Sequence, residues 1–355
     1  MVGSIIVKIL LFPFSLLYGA VIAIRNLLYR LKLLNSIRFS IPVIGVGNLA
    51  IGGTGKTPHV EYLTQLLNHY ISVAILSRGY KRKTKGYLEV LPSNNAEEVG
   101  DEPLQYKLKF PEVKVAVSES RVFGIPKLIG DYPELQVILL DDAFQHREVK
   151  PALNLLLSEY ARPYTQDFLL PSGRLREWPS GAARADAVII TKCPYDLTPT
   201  DAEKMTNTLR IPSDQPTFFS YYKYEKPYGM FQADHRINID GELDILLVTA
   251  IARTDYLMDY IADKAGYVKT LEYEDHHYYT SRDLQYIQSY YEAIPSQNKI
   301  ILTTEKDAVR LFLHHEFIKT NGLPIFILPL RVDFLFDDGP RFDQYIKDFL
   351  IQFKA

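Results

Sequence analysis

Residues 46–58 read VGNLAIGGTGKTP, between an apolar run and a segment with helical spacing. In a strand–loop–helix context such glycines leave backbone N–H groups free to wrap phosphate oxygens, and the following helix turns its N-terminus to the same anion. The nucleotide-contacting residues are then Gly52, Gly53, Thr54, Gly55, Lys56 and Thr57. Lys56 would reach the β- and γ-phosphates of ATP, while the Thr57 hydroxyl would hold Mg2+. Pro58 suits a first helical turn, where its missing N–H costs nothing. The usual pattern places Gly five residues before Gly55, and Ala50 stands there instead.

Outward from this loop the chain alternates apolar runs with amphipathic stretches. The predicted strands are 40–48, 71–77, 113–119, 137–142, 152–158 and 186–192, and Val60, Leu63 and Leu67 mark a helix between the first two. Continuous apolar strands alternating with helices argue for a mostly parallel sheet covered on both faces. The run VILLDD (137–142) ends in carboxylates. Asp141 is the metal candidate by position, and Asp142 would orient it or contact substrate. Residues 217–231, TFFSYYKYEKPYGMF, read as a pair of linking strands, after which a second βα series runs to a last helix at 341–353. The expected organisation is an N-terminal helix (1–36), a P-loop domain (37–220), linking strands (221–242) and a smaller α/β domain (243–355) across a cleft.

Composition narrows the function. With 40 basic against 42 acidic residues among 355, nothing draws the chain toward nucleic acid. A single cysteine, Cys193, excludes a disulfide framework and points to a reducing compartment. The acidic residues start only at Glu61, after Lys8, Arg25, Arg30, Lys32, Arg38 and Lys56. Residues 9–24, ILLFPFSLLYGAVIAI, carry no charge, fall slightly short of a full bilayer span and are interrupted by Pro13. A cleaved signal, a buried core helix and a membrane anchor all fit that length. The basic residues that follow favour an anchor with the rest of the chain on the cytoplasmic side.

The colinear blocks VGNLAIGGTGKTP (46–58), ILSRGYKRKTKGY (75–87), GDEPLQ (100–105), LLDDAFQHR (139–147), LLPSGRLRE (169–177) and EDHHYYT (274–280) resemble the tetraacyldisaccharide 4′-kinase family of the Gram-negative lipid A pathway. The resemblance implies transfer of the ATP γ-phosphate to the 4′-hydroxyl of tetraacyldisaccharide 1-phosphate, forming lipid IV A, at the cytoplasmic face of the bacterial inner membrane. It implies ATP and Mg2+, a lipid substrate, and no obligate protein partner. This chain departs from the family in Ala143 and Phe144 of the DDAFQHR block, in Ala250, and in Arg174. None of these removes a chemical group.

Read from the residues alone, Asp101 and Glu102 follow a glycine turn and suit a helix N-terminus, where carboxylates accept backbone N–H bonds. The resemblance makes Asp101 the base that takes the acceptor hydroxyl proton, with Glu102 beside it in the substrate region. His276 and His277, adjacent on one strand, would point opposite ways, which argues against a shared metal site. The resemblance pairs His276 with Asp101 across the two domains. Arg78, Lys81, Arg82, Lys83 and Lys85 follow the strand at 71–77, on the edge where such sheets bind ligands. They read either as a solvated loop or as contacts to phosphate or lipid headgroups. Arg78, Arg121, Gln145 and His146 are candidates for lining the same cleft. The main alternative is a membrane-associated P-loop ATPase acting on a partner, in which GDEP and EDHH would be structural.

Overall fold

The computed structural model describes residues 2–354, with side chains from residue 7 onward. The N-terminal helix α1 (Val2–Arg30) leads into a nine-stranded sheet. The first eight strands in chain order are β1 (Val43–Asn48), β2 (Val73–Ser77), β3 (Leu88–Glu89), β4 (Lys114–Val117), β5 (Val137–Asp141), β6 (Leu153–Glu159), β7 (Ala187–Thr191) and β8 (Thr217–Tyr224). The chain then builds a second, six-stranded sheet from β9 (Tyr228–Gly229), β10 (Gln232–Arg236), β11 (Asp244–Thr249), β12 (Tyr267–Glu272), β13 (Lys299–Thr304) and β14 (Ile325–Leu328). Finally β15 (Leu330–Phe334) returns to the first sheet, antiparallel to β8.

The first sheet runs β15-β8-β7-β6-β1-β5-β2-β4-β3 and is parallel except at its two edges, β15 and β3. Alternation along each strand feeds two cores, as a doubly covered sheet requires. Ile44, Ile75 and Leu139 pack on one face with Val60 and Leu63 of α2 (Lys56–Leu67), whereas Val43, Leu76 and Leu140 pack on the other with Ile125 and Leu128. Further helices are α3 (Ala96–Val99), α4 (Asp101–Lys109), α5 (Arg121–Asp131) and α6 (Pro199–Leu209). The second sheet repeats the pattern, with Leu246 and Val248 on one face and Ile245 and Leu247 on the other. Its helices are α7 (Asp255–Ala262), α8 (Ser281–Glu292), α9 (Glu305–Leu311) and α10 (His315–Thr320).

Two placements differ from the sequence expectation. Residues 217–224 are not a linker but a full strand of the first sheet, parallel to β7, because Phe218 and Phe219 fill the cores on its two faces. Residues 330–352 do not stay with the second sheet. Val332 and Phe334 of β15, with Phe342 and Ile346 of α11 (Asp338–Gln352), are buried in the same core as Ile44 and Val60. The second sheet is thus inserted between two neighbouring antiparallel strands of the first.

Helix α1 touches the body along one stripe. Ser15 Oγ donates to Ser172 Oγ (2.8 Å), Tyr18 OH donates to the Arg176 carbonyl (2.8 Å), and Trp178 Nε1 donates to the Gly19 carbonyl (2.9 Å). A Cβ at Gly19 would lie 2.6 Å from the Trp178 ring, so only glycine admits this approach. Its other faces leave Ile9, Leu10, Phe14, Leu17 and Ile24 exposed.

Candidate active site

The phosphate loop closes β1 and opens α2. Gly52 and Gly55 take left-handed φ values of 101° and 88°, which a side chain would strain. Thr191 Oγ1 at the end of β7 donates to the Thr54 carbonyl (2.9 Å), and Asn48 Nδ2 donates to Thr54 Oγ1 (2.6 Å), fixing the loop between strands. Lys56 starts α2 with its ammonium 3.4 Å from Asn48 Oδ1 and 3.5 Å from Asp142 Oδ1. Thr57, the next residue, lies half-buried in the same turn.

Beside the loop, β5 ends at Asp141. Ser77 Oγ donates to its Oδ2 (3.2 Å), while its Oδ1 is buried without a hydrogen-bond partner among the described residues. Burial pushes this carboxyl up to about 6, with the charges of Asp142 and Glu102 adding to the effect. Asp142 is held in the opposite direction. Burial opposes its charge, but Lys56 and a two-pronged contact from Arg176 (2.8 and 2.7 Å) outweigh this and keep it well below the usual carboxylate range. Arg176 also donates to Asn48 Oδ1, so one guanidinium ties the loop strand to the carboxylate pair.

A second constellation lies where α4 meets α9, at the junction of the two sheets. Asp101 begins α4 and is 2% exposed. His276 Nδ1 donates to Asp101 Oδ2 (2.8 Å), and Lys306 Nζ donates to His276 Nε2 (3.1 Å). A lysine ammonium can only donate, so the imidazole carries its proton on Nδ1. Lys306 also pairs with Glu102 (3.0 Å), and Arg310 Nε lies 3.4 Å from Asp101 Oδ2. Burial works against the Glu102 charge, yet the charge and hydrogen bond of Lys306 outweigh it and hold the carboxyl at about 2. Asp307 locks Arg310 from the same helix (2.8 Å) and accepts from the Ala250 backbone N–H (3.1 Å). Asp101 Oδ1 is buried without a partner among the described residues.

Arg121 is buried and donates to the Asp141 carbonyl (2.7 Å), which makes it a support of the β5 terminus. Gln145 Nε2 donates to the Asn48 carbonyl (2.6 Å) and to Glu177 Oε1 (3.2 Å), while Arg25 of α1 donates to the Gln145 carbonyl (2.9 Å). His146 lines a cavity beside its loop and stays close enough to Arg121 and Asp142 to feel their charges. Arg78 is exposed, whereas Arg82 pairs with Glu119 (2.6 Å), Lys83 with Glu97 (2.6 Å), and Lys81 Nζ donates to the Asp275 carbonyl (3.3 Å), so these three residues tie the loop to its surroundings. His276 and His277 do not share a strand. They lie in the turn after β12, with His276 at φ 62°, and His277 faces Asp283 (3.0 Å). Sequence reasoning passed over Arg176, Lys306 and Arg310.

The arrangement offers a phosphate cradle, an unused carboxylate oxygen for a cation, and a buried carboxylate held by an imidazole. The sequence profile of the Tetraacyldisaccharide-1-P 4′-kinase family matches residues 7–351. The tetraacyldisaccharide 4′-kinase of Bacteroides thetaiotaomicron is 42% identical over 349 residues, covering 95% of this chain and 91% of the relative. That of Flavobacterium johnsoniae is 41% identical, covering 96% of this chain and 97% of the relative. The crystal structure of LpxK from Aquifex aeolicus in complex with ATP superposes with a TM-score of 0.72 at 29% identity, covering 97% of this chain and 99% of that one.

Proposed function

The chain belongs to the tetraacyldisaccharide-1-P 4′-kinase family, and from that premise we propose how its residues carry the reaction. The enzyme phosphorylates the 4′-hydroxyl of a tetraacylated disaccharide at the expense of ATP in lipid A biosynthesis. Its acceptor is tetraacyldisaccharide 1-phosphate and its product lipid IV A.

The loop from Gly52 to Thr57 takes the triphosphate on its backbone N–H groups, and Lys56 places a charge against the β- and γ-phosphates. The free Oδ1 of Asp141 and the Thr57 hydroxyl suit a divalent cation, which prefers hard oxygen donors. Mg2+ held there would neutralise charge on the phosphoryl oxygens during transfer. Arg176 and Lys56 keep Asp142 ionised beside it.

Asp101 is the base. Its Oδ2 is committed to His276, so its unpartnered Oδ1 is the oxygen that receives the 4′-hydroxyl proton. The 4′-oxygen bonds to the γ-phosphorus, the bond from that phosphorus to the β,γ-bridging oxygen breaks, and ADP leaves. His276, fixed by Lys306, orients the carboxylate and is a positioning residue. The acceptor keeps its acyl chains in the bilayer. The exposed apolar faces of α1 support a position at the inner-membrane surface, and the use of ATP favours its cytoplasmic side.

The observation that carries this reading is the 2.8 Å Asp101–His276 contact, which joins the two sheets beside the loop. The test is transfer of radiolabel from ATP to tetraacyldisaccharide 1-phosphate in neutral detergent. Label should enter the lipid, and Asp101→Asn should slow transfer by roughly 100- to 10,000-fold. Label released only as free phosphate would exclude the kinase reading, and full transfer by Asp101→Asn would return Asp101 to a capping role.

A further inference from the structure

At the foot of α1 a cavity of about 960 Å³ opens between the segment joining α1 to β1 and the loop joining β5 to β6. It extends from Ala143, Phe144 and His146, which follow the β5 carboxylates, down to Val43, Ala152 and Asn154 near the N-terminal ends of β1 and β6. Its wall is strongly basic. Arg30, Lys32, Arg38, Lys150 and Lys354 line it, are exposed, and have no carboxylate within 4.0 Å among the described residues. Arg147 and Arg184 also line it, but they are held by Asn26 (3.0 Å) and Glu177 (2.8 Å). The one acidic residue of the lining, Asp186, already accepts the Asn154 backbone N–H (2.7 Å).

Like charges left unpaired around one concavity repel each other, and an anion relieves that repulsion. The cavity wall is held in place: the Ile37 N–H donates to the Glu148 carbonyl (2.8 Å), the Lys150 N–H to the Ile37 carbonyl (2.9 Å), and Ser36 Oγ to the Arg147 carbonyl (2.5 Å). The wall also continues the apolar helix, with Leu27, Leu31 and Leu33 exposed immediately beside it.

We propose that this cavity is a binding site for the phosphate of an anionic phospholipid of the bilayer, separate from the acceptor disaccharide. The proposal rests on the membrane reading of α1. The helix supplies apolar insertion and the cavity supplies headgroup recognition, two signals whose sum gives stable peripheral binding where either alone is marginal. Bound lipid would set the depth and rotation of the body at the surface, and thus the approach of the phosphate loop to its lipid substrate.

The test uses the full chain with vesicles of phosphatidylcholine alone or mixed with phosphatidylglycerol. Wild type should bind the mixed vesicles about tenfold or more tightly than the neutral ones. The triple variant Lys32→Gln, Arg38→Gln, Lys150→Gln should lose that preference, keep its binding to neutral vesicles, and show unchanged kcat and KM in neutral detergent micelles. A charge-matched control, Lys264→Gln, Lys319→Gln, Lys347→Gln, should retain the preference. The proposal is overturned if the triple variant keeps the preference, if the control loses it equally, or if the triple variant raises KM for the disaccharide in neutral micelles, which would make the cavity part of the acceptor site. Failure of wild type to bind either vesicle would instead overturn the membrane reading, and the cavity proposal with it.

Discussion

The phosphate loop and the junction between the sheets do different work with different kinds of structure. The loop is one continuous stretch, fixed in place by Asp142, Gln145, Arg176 and Thr191 from elsewhere in the same sheet domain. The junction is assembled from residues 175 positions apart, with Asp101 on the first sheet's helix and His276 and Lys306 on the second sheet. A local motif can specify a cradle because backbone N–H groups need only a turn and a helix N-terminus. A positioned base needs two folded sheets to agree on one geometry to within a fraction of an ångström. The difference predicts that loop variants disable nucleotide chemistry of every kind, whereas junction variants disable transfer to the acceptor alone.

The strongest way to break that division is Lys56→Met. Transfer and background ATP hydrolysis should both fall by roughly 1,000-fold, and a variant that hydrolysed ATP normally would end the distinction. Lys306→Met should slow transfer by about 10- to 100-fold while the affinity for ATP stays as in wild type, since Lys306 touches Glu102 and His276 but not the loop. It also frees Glu102. That carboxyl is held at about 2, so its pairing stabilises the fold above its unfolded value near 4.3 and is lost as pH falls between the two. Without Lys306, burial pushes the carboxyl upward. The urea midpoint of the variant should then drop at pH 5, where wild type holds, and equal midpoints at pH 5 would sink this account.

Arg176→Lys keeps the charge but loses the two-pronged contact to Asp142. The expected result is a KM for ATP raised about tenfold, with the pH profile of transfer unmoved. The smallest effect is expected at Glu61, where Lys109 bridges α2 to α9 through Glu61 (2.8 Å) and Glu305 (2.9 Å). Burial raises the Glu61 carboxyl to about 7, and Lys109 only partly offsets it. Between its unfolded value near 4.3 and about 7 the folded chain holds a proton the unfolded chain lacks, so this residue's contribution falls as pH rises. Glu61→Gln does not titrate, and its stability relative to wild type should improve from pH 5 to pH 7, measured by denaturation at both. A difference that did not move with pH would show that Glu61 is charged throughout.

The same division explains what could be read beforehand. The loop glycines, Lys56, the β5 carboxylates and the strand series follow from local spacing, and the structure places them accordingly. Asp101 and His276 were reached through a family resemblance, not through their own chemistry. Arg176 stands in a block whose neighbour Arg174 drew attention instead, and Arg174 is occupied by Asp167 (2.9 Å). Lys306 and Arg310 sit on a short helix capped by Thr304, and local spacing carries no sign that this helix packs on α4. Partners across a domain junction leave no periodic trace. The return of residues 330–352 escaped for a similar reason, since an edge strand after Pro329 is as compatible with one sheet as with the other.

That return also orders events during synthesis. Phe334, Phe342 and Ile346 complete a core begun by Ile44 and Val60, some 290 residues earlier in the chain (Phe334 minus Ile44). A ribosome extends the chain at about 5–20 residues per second, so the first sheet waits at least roughly 15 s between making its oldest core strand and receiving the residues that seal it. Over the last part of that interval, once residues 217–224 have been made, β8 is an open edge with Tyr221, Tyr222 and Tyr224 awaiting β15, a template for pairing with another chain. The inserted second sheet has all its strands before that point and can fold first. The molecule is therefore most exposed to aggregation just before residues 330–352 emerge, and substitutions in β15 or α11 would show as loss of yield before any loss of catalysis.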